Sequence, residues 1–205
     1  MIAIIDYGVG NLFSLRCSFE AIGQQAVVTG DPDKLGIAGR IVLPGVGAFG
    51  DAAIKLKQSG MAEAVRAEVQ KGKPLLGICL GMQLLFERGF ESGVHRGLAL
   101  IPGEVRPIRE VIPETLKIPH IGWNKIGFCG KQSDIFRFIA EHSYVYFVHS
   151  YQAVCDDAWR IADTEYGSLL TAAVRKENVY GCQFHPEKSG AVGLSILRAF
   201  CEAEA

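Results

Sequence analysis

Four short apolar runs, Ile2–Ile5, Ala26-Val27-Val28, Arg40–Leu43 and Leu75–Ile78, punctuate the first part of the chain. They read as strands, Leu75–Ile78 as a buried one, of a sheet covered on both faces. Between them lie helical patterns. Leu12, Leu15, Phe19 and Ile22 recur at helical spacing and stop at Gly23; a second helix is expected from near Asp51. A third covers Met61–Gln70, with Met61, Ala64, Val65 and Val69 on one face and Gly72 after it. Leu80–Phe86 reads as a further helix. Strands alternating with helices predict an α/β fold, an open and mostly parallel sheet flanked by helices.

From about Gly97 turn residues become frequent and helical periodicity fades. Val145–Val148, Arg160–Ala162, Leu169–Val174 and Val179–Phe184 read as strands, several joined by tight turns. They predict antiparallel β additions in the C-terminal half, or a small second sheet. Ser189 is expected to cap a last helix that turns Val192, Ile196, Ala199 and Phe200 inward.

The 205 residues fit a single domain spanning 1–205 and can bury a substantial core. Hydrophobic residues make up 49% of the chain, which excludes disorder. Basic and acidic side chains nearly cancel, for a net charge of −1, so the footprint that nucleic acid demands is missing. No apolar stretch spans a bilayer. Met1 leads directly into the first strand without a signal-peptide pattern. The six cysteines include no Cys-x-x-Cys pair and read as reduced thiols, so a cytoplasmic protein is expected.

One of those cysteines has a special setting. Gly77-Ile78-Cys79-Leu80-Gly81 lies between a strand and a helix. A nucleophile on such a turn is held in a strained backbone conformation, and small neighbours let other chain atoms approach it. The helix N-terminus favours a thiolate, and the Leu80 N–H can face a developing oxyanion. A buried cysteine between two packing glycines fits the same pattern, so partners decide. His185-Pro186-Glu187 supplies them: proline fixes the backbone between an imidazole and a carboxylate, which holds one ring nitrogen and leaves the other for Cys79. His95 and His142 read as solvated loop residues with no carboxylate locked beside them.

Gly45-Val46-Gly47-Ala48-Phe49-Gly50 matches the dinucleotide fingerprint G-x-G-x-x-G. Three features oppose that reading. Pro44 stands where the tight turn would begin, the match is not on the first strand–helix unit, and no acidic residue at the end of a following strand lies near the spacing a ribose contact needs. The better reading is a loop whose backbone N–H groups complete an oxyanion hole opposite Leu80, with Gly45 and Gly47 letting the peptide at Val46 reorient. A plain surface turn is the simpler alternative.

Gly-Ile-Cys-Leu-Gly-Met-Gln at 77–83 and Phe-His-Pro-Glu at 184–187 together resemble the class I, triad-type glutamine amidotransferases. Further segments resemble the glutaminase subunits of imidazole glycerol phosphate synthase: Asp6–Leu12, Pro44–Asp51, Ile118–Asn124, Tyr146–Tyr151 and Gln183–Gly190, in family order along nearly the whole chain. The resemblance implies that L-glutamine is hydrolysed through a glutamyl thioester, without cofactor or metal. The ammonia passes to a partner cyclase, a (β/α)8 barrel, which uses it to make imidazole glycerol phosphate and an aminoimidazole carboxamide ribotide in histidine biosynthesis. It implies Cys79 as nucleophile, His185 as acid and base, Glu187 as orienter, and Val46 and Leu80 as oxyanion donors. Gly45, Gly47, Gln83, Ser150 and Tyr151 would bind glutamine, and Trp123, Asn124, Tyr146 and Lys188 would lie near the barrel. Asp6, Asn11, His120 and His149 match the pattern and read as structural. Gln152 departs from it and is placed at the pocket rim. Glutaminase subunits for anthranilate or pyridoxal phosphate synthesis share the elbow and the His-x-Glu, but the Tyr7–Asn11 and Gly122–Asn124 segments oppose both. A catalytically dead binding subunit and a papain-like protease are the remaining alternatives. The intact Cys, His and Glu oppose the first, the strand–helix pattern the second.

Overall fold

The computed structural model describes residues 1–203. Its first half follows the expected alternation: β1 (Ile2–Ile5), α1 (Leu12–Ala21), β2 (Ala26–Thr29), α2 (Pro32–Ile37), β3 (Arg40–Leu43), α3 (Phe49–Gln58), α4 (Met61–Gln70) and β4 (Leu75–Ile78). A single helical turn, α5 (Leu80–Gln83), follows β4. Then come β5 (Phe86–Gly89), β6 (His95–Arg96), β7 (Ile101–Pro107), β8 (His120–Lys125), β9 (Gly127–Phe128), β10 (Tyr144–His149) and β11 (Tyr151–Val154). The chain closes with β12 (Arg160–Glu165), β13 (Leu169–Lys176), β14 (Val179–Cys182) and α6 (Gly190–Glu202).

Eight strands form one sheet in the order β2-β1-β3-β4-β14-β13-β12-β9. The first five run parallel, and the last three are antiparallel additions. Successive side chains alternate between the two faces. Ala3, Ile5, Ile41, Leu43 and Leu75 pack with Leu56, Met61 and Val65 from α3 and α4. Ile2, Ile4, Val42, Leu76 and Ile78 pack with Leu15 and Phe19 of α1 and with Ile196 and Phe200 of α6. Both faces are therefore dry, which is why these strands read as unbroken apolar runs. Each fully buried aliphatic or Phe side chain stabilises by about 1.5–3 kcal/mol, offset by the entropy of ordering it.

Three local expectations change. The helix read over Leu80–Phe86 ends at Gln83, and Phe86 begins β5. The carbonyls of Leu84 and Leu85 instead accept from the N–H groups of Leu98, Leu100 and Ile101, so long-range pairing overrides local periodicity. The added β structure consequently starts at Phe86 and not near Gly97, with β5 parallel to β7 and antiparallel to β6. The helix expected near Asp51 starts at Phe49, because the distant Glu91 carboxylate accepts from the Phe49 N–H at 2.6 Å. Ser189 stands at the start of α6 but makes no capping bond. Its hydroxyl donates to the His185 carbonyl at 2.6 Å and accepts from the Tyr146 N–H at 3.0 Å. Val192 is only half-buried.

Candidate active site

The C-terminal ends of β3, β4 and β14 lie side by side, where ligands bind in open parallel sheets. Cys79 belongs to two structures at once. Its N–H donates to the Cys182 carbonyl at 2.8 Å, continuing the β4–β14 ladder, while its own carbonyl accepts from the Gln83 N–H at 3.1 Å, opening α5. That double duty forces φ 54° and ψ −112°, a region that favours glycine. The flanking glycines are required sterically. A Cβ on Gly77 would lie 2.7 Å from the Gly81 carbonyl oxygen, and one on Gly81 only 1.8 Å from the Leu43 carbonyl oxygen. Because α5 is a single turn, support for a thiolate reduces to its first free N–H groups, not a long helix dipole. The Gln183 amide also reaches the sulfur, with Nε2 donating at 3.7 Å.

His185 follows β14 and Phe184. Its N–H donates to the Tyr146 carbonyl at 2.9 Å and its carbonyl is held by Ser189, so the loop is tied to β10. Pro186 opens a tight 3-10 turn that brings Glu187 back onto the ring. Nδ1 lies 2.7 Å from Glu187 Oε1, with both side chains buried. The other ring nitrogen, Nε2, is buried and has no hydrogen-bond partner among the described residues. Burial pulls the ring's pKa down, but the facing Cys79 sulfur and the Glu187 carboxylate outweigh it and raise it to about 9.

The Gly45–Ala48 loop is pinned at both ends. The Tyr7 hydroxyl donates to the Pro44 carbonyl at 2.9 Å, and Glu91 holds the Phe49 N–H. Burial and then the neighbouring Cys79 push the Tyr7 phenol far above its ordinary range, so it stays a donor. A Cβ on Gly45 would meet the Tyr7 hydroxyl at 2.8 Å and the Gly81 nitrogen at 2.9 Å. Gly47 has φ 96° and open space around it, and Val46 is 43% exposed. Gly50 is closely covered by the His95 ring, which is half-buried and not the solvated residue expected. The glycines thus serve packing against the elbow and freedom of the loop.

A cavity of about 430 Å³ collects Val46, Gly47, Cys79, Leu80, Gln83, Ser150, Tyr151, His185 and Lys188. Gly45 lies behind Leu80, and Glu187 behind His185. Gln83 donates from Nε2 to the Gln183 Oε1 at 3.0 Å and to the Tyr151 carbonyl at 3.3 Å. Sequence reasoning missed Glu91, Pro119, Val148 and His149 on the cavity wall, and Gln183 behind it. Glu91 sits in a turn with no motif around it; Gln183 and His149 lay inside segments that matched the family without a role. Gln152, expected at the rim, is buried in β11 away from the cavity. A larger cavity of about 830 Å³ beside α3 and α4 contains no cysteine or histidine.

Trp123 is 54% exposed on β8 and meets the Tyr146 ring edge-on at 6.2 Å, while the Lys188 ammonium stands 5.7 Å over Tyr146. Asn124, expected on the same surface, turns inward: its Nδ2 donates to the Glu165 carbonyl at 2.8 Å and reaches His120. No helix among the described residues is long and apolar enough to cross a membrane.

The family model for glutamine amidotransferase class-I matches residues 3–203. The chain is 50% identical to the imidazole glycerol phosphate synthase subunit HisH of Sulfurimonas denitrificans over 202 residues, covering 98% of this chain and 97% of that protein. It is 46% identical to the HisH subunit of Lactococcus lactis, covering 98% of both. Among solved structures, PurLQS from Thermotoga maritima superposes with a TM-score of 0.77 at 19% identity, covering 98% of this chain and 97% of that one. A crystal structure of a glutamine amidotransferase gives 0.76 at 16% identity, covering 98% of each, so both show likeness of fold alone. The chain belongs to the class-I glutamine amidotransferase family, among the HisH subunits of imidazole glycerol phosphate synthase.

Proposed function

We propose that residues 1–205 act as one glutaminase domain, in which Cys79 attacks the side-chain amide of L-glutamine and hands ammonia to a cyclase (β/α)8-barrel subunit. The observation that carries this reading is the unpartnered, buried Nε2 of His185, in the same cavity as Cys79, with Nδ1 fixed by Glu187. Nε2 holds the proton taken from the thiol before the carbon–sulfur bond forms. It returns that proton to the amide nitrogen as the tetrahedral intermediate expels ammonia and leaves a glutamyl thioester. Water, deprotonated by the same nitrogen, then releases glutamate. The N–H groups of Leu80 and Val46 receive the oxyanion in each step.

Gln83, Ser150 and Tyr151 hold the substrate, and Gly45 and Gly47 keep the facing loop slim. Among the described residues, the half-buried Glu91 carboxylate supplies the one acidic group on the cavity wall and suits the α-ammonium. Trp123, Tyr146 and Lys188 form the docking surface for the barrel, with Asn124 supporting it from within. Free thiols throughout and biosynthetic relatives support a cytoplasmic setting. Substrate on the partner turns the Val46 peptide into the oxyanion hole, so the isolated chain is nearly idle. A missing oxyanion donor costs about 10²–10³ in rate. The test is glutaminase turnover with and without the cyclase subunit and its ribotide ligand. Equal turnover in both states ends the activation reading, and activity surviving in Cys79→Ser ends the nucleophile assignment.

A further inference from the structure

Asn124, His120 and His149 form a half-buried to buried row of side chains that ends on the active-site cavity, and the thioester chemistry uses none of them. His120 and His149 are a directly opposed pair in the β8–β10 ribbon. Asn124 lies four residues on from His120, on the same face of β8. Trp123 occupies the opposite, exposed face.

The directions of the hydrogen bonds are forced. The Tyr151 carbonyl can only accept, and it lies 2.8 Å from His149 Nδ1, so that nitrogen carries the proton. Burial and the nearby His120 and His185 hold the His149 pKa down to about 4, against a raising bond from Tyr151, and burial does the same for His120. Both rings are therefore neutral near pH 7. His149 Nε2 is then a lone pair, and His120 Nδ1, 3.0 Å away, must donate to it. That leaves His120 Nε2 as an acceptor, facing Asn124 Nδ2 at 3.3 Å. The amide cannot be reversed, because Asn124 Oδ1 accepts from the Lys125 N–H at 2.8 Å and Nδ2 donates to the Glu165 carbonyl.

Every hydrogen bond along the row, from Asn124 through His120 and His149 to the Tyr151 carbonyl, thus points from β8 toward the cavity. At its end the Tyr151 carbonyl also accepts from Gln83, whose amide bonds Gln183, whose amide in turn reaches Cys79. The His120 ring cannot swing away, since it is stacked between Phe147 at 5.0 Å and Tyr166 at 4.1 Å, each at 21°. A chain of neutral donors fixed at both ends leaves one arrangement for the Tyr151 carbonyl.

We propose that Asn124, His120 and His149 are positioning residues for glutamine, a one-directional donor row that sets the Tyr151 carbonyl and, through it, the Gln83 amide. The inference rests on the assignment of Gln83 and Tyr151 to the glutamine site. It also makes β8 serve two ends, since the strand that presents Trp123 outward fixes the substrate grip inward.

The test uses the full chain, with ¹⁵N-labelled histidine for spectroscopy and with its cyclase subunit bound for kinetics. Long-range ¹H–¹⁵N spectra place both His120 and His149 in the Nδ1–H tautomer, the minor form of a free neutral imidazole. His120→Phe keeps the stack and removes both ring nitrogens. Asn124→Asp replaces the terminal donor by an acceptor at nearly constant size, which drives His120 to the Nε2–H or doubly protonated form. Each variant raises the KM for glutamine about 10-fold with kcat held within about 2-fold, the scale of one lost buried hydrogen bond. If His120→Phe does not fold, Asn124→Asp carries the kinetic arm. An Nε2–H tautomer on either ring of the unaltered protein overturns the proposal. Gln83→Ala separates the remaining failures. If it raises KM while the row variants do not, the row alone is refuted; if it leaves KM unchanged, the glutamine-site assignment falls and takes the row with it.

Discussion

Glu187 Oε1 stands 2.7 Å from His185 Nδ1 across a single proline, and this short tether aims the unpartnered Nε2 of the ring at the cavity that holds Cys79. The carboxylate is itself buried, and its second oxygen, Oε2, has no hydrogen-bond partner among the described residues. Glu187→Gln keeps the shape and loses the charge. It is expected to lower kcat for glutamine by about 10²–10⁴-fold, by allowing the wrong tautomer and withdrawing support from the imidazolium. Steady-state glutaminase kinetics of the complex check it, and a drop confined to KM contradicts the role.

Strain at the elbow gives a second expectation. Cys79 holds φ 54° without being glycine. Cys79→Gly relieves that strain, whereas Cys79→Ala keeps it and loses the same sulfur. The glycine variant should be the more stable of the two by about 1–2 kcal/mol, against the usual helix and strand preference for alanine. Urea unfolding of the two variants decides it.

Gly81 is a harder constraint. A Cβ there would sit 1.8 Å from the Leu43 carbonyl oxygen, a backbone atom of a central strand that cannot step aside. Gly81→Ala should cost about 3 kcal/mol or more, at the top of the overpacking range, and should displace β3 from β4. A melting temperature unchanged from the parent chain would show that the elbow is looser than its geometry.

The buried histidines set opposite pH limits on stability. His120 and His149 titrate near 4 when folded and near 6.5 when unfolded. Below pH 6.5 the unfolded chain binds more protons, so stability falls as pH drops from about 6.5 toward 4. His185 runs the other way. Its folded pKa near 9 gives stability that is complete below about 6.5 and is lost as pH rises through 9. His120→Phe should flatten the acid limb and leave the alkaline one; Cys79→Ser should do the reverse. Urea midpoints across this range read both limbs.

Much of this was legible from local pattern, and the exceptions share a cause. Ile2–Ile5, Arg40–Leu43 and Leu75–Ile78 are strands because dry faces demand apolar runs, and such runs are visible without a partner. The elbow and His185-Pro186-Glu187 are likewise set by neighbours in sequence. What stayed hidden depends on distant chain. Phe86 joins a sheet because Leu98 and Leu100 pair with the preceding turn. Glu91 reaches the cavity from an unmarked turn and starts α3 from 42 residues away. Asn124 turns inward because the Glu165 carbonyl and the buried His120 ring offer it distant partners. Ser189 occupies a helix start, yet spends its hydroxyl on His185 and Tyr146.

Cys79, served by His185, is proposed as the one nucleophile among six free thiols. Labelling with a glutamine-analogue diazoketone, read by intact mass and peptide mapping in the presence of the cyclase subunit and its ribotide ligand, tests it most directly. One adduct is expected, on Cys79, absent in Cys79→Ser and strongly slowed in His185→Asn. An adduct on Cys182 or any other cysteine, or none at all with partner and ligand bound, would contradict it.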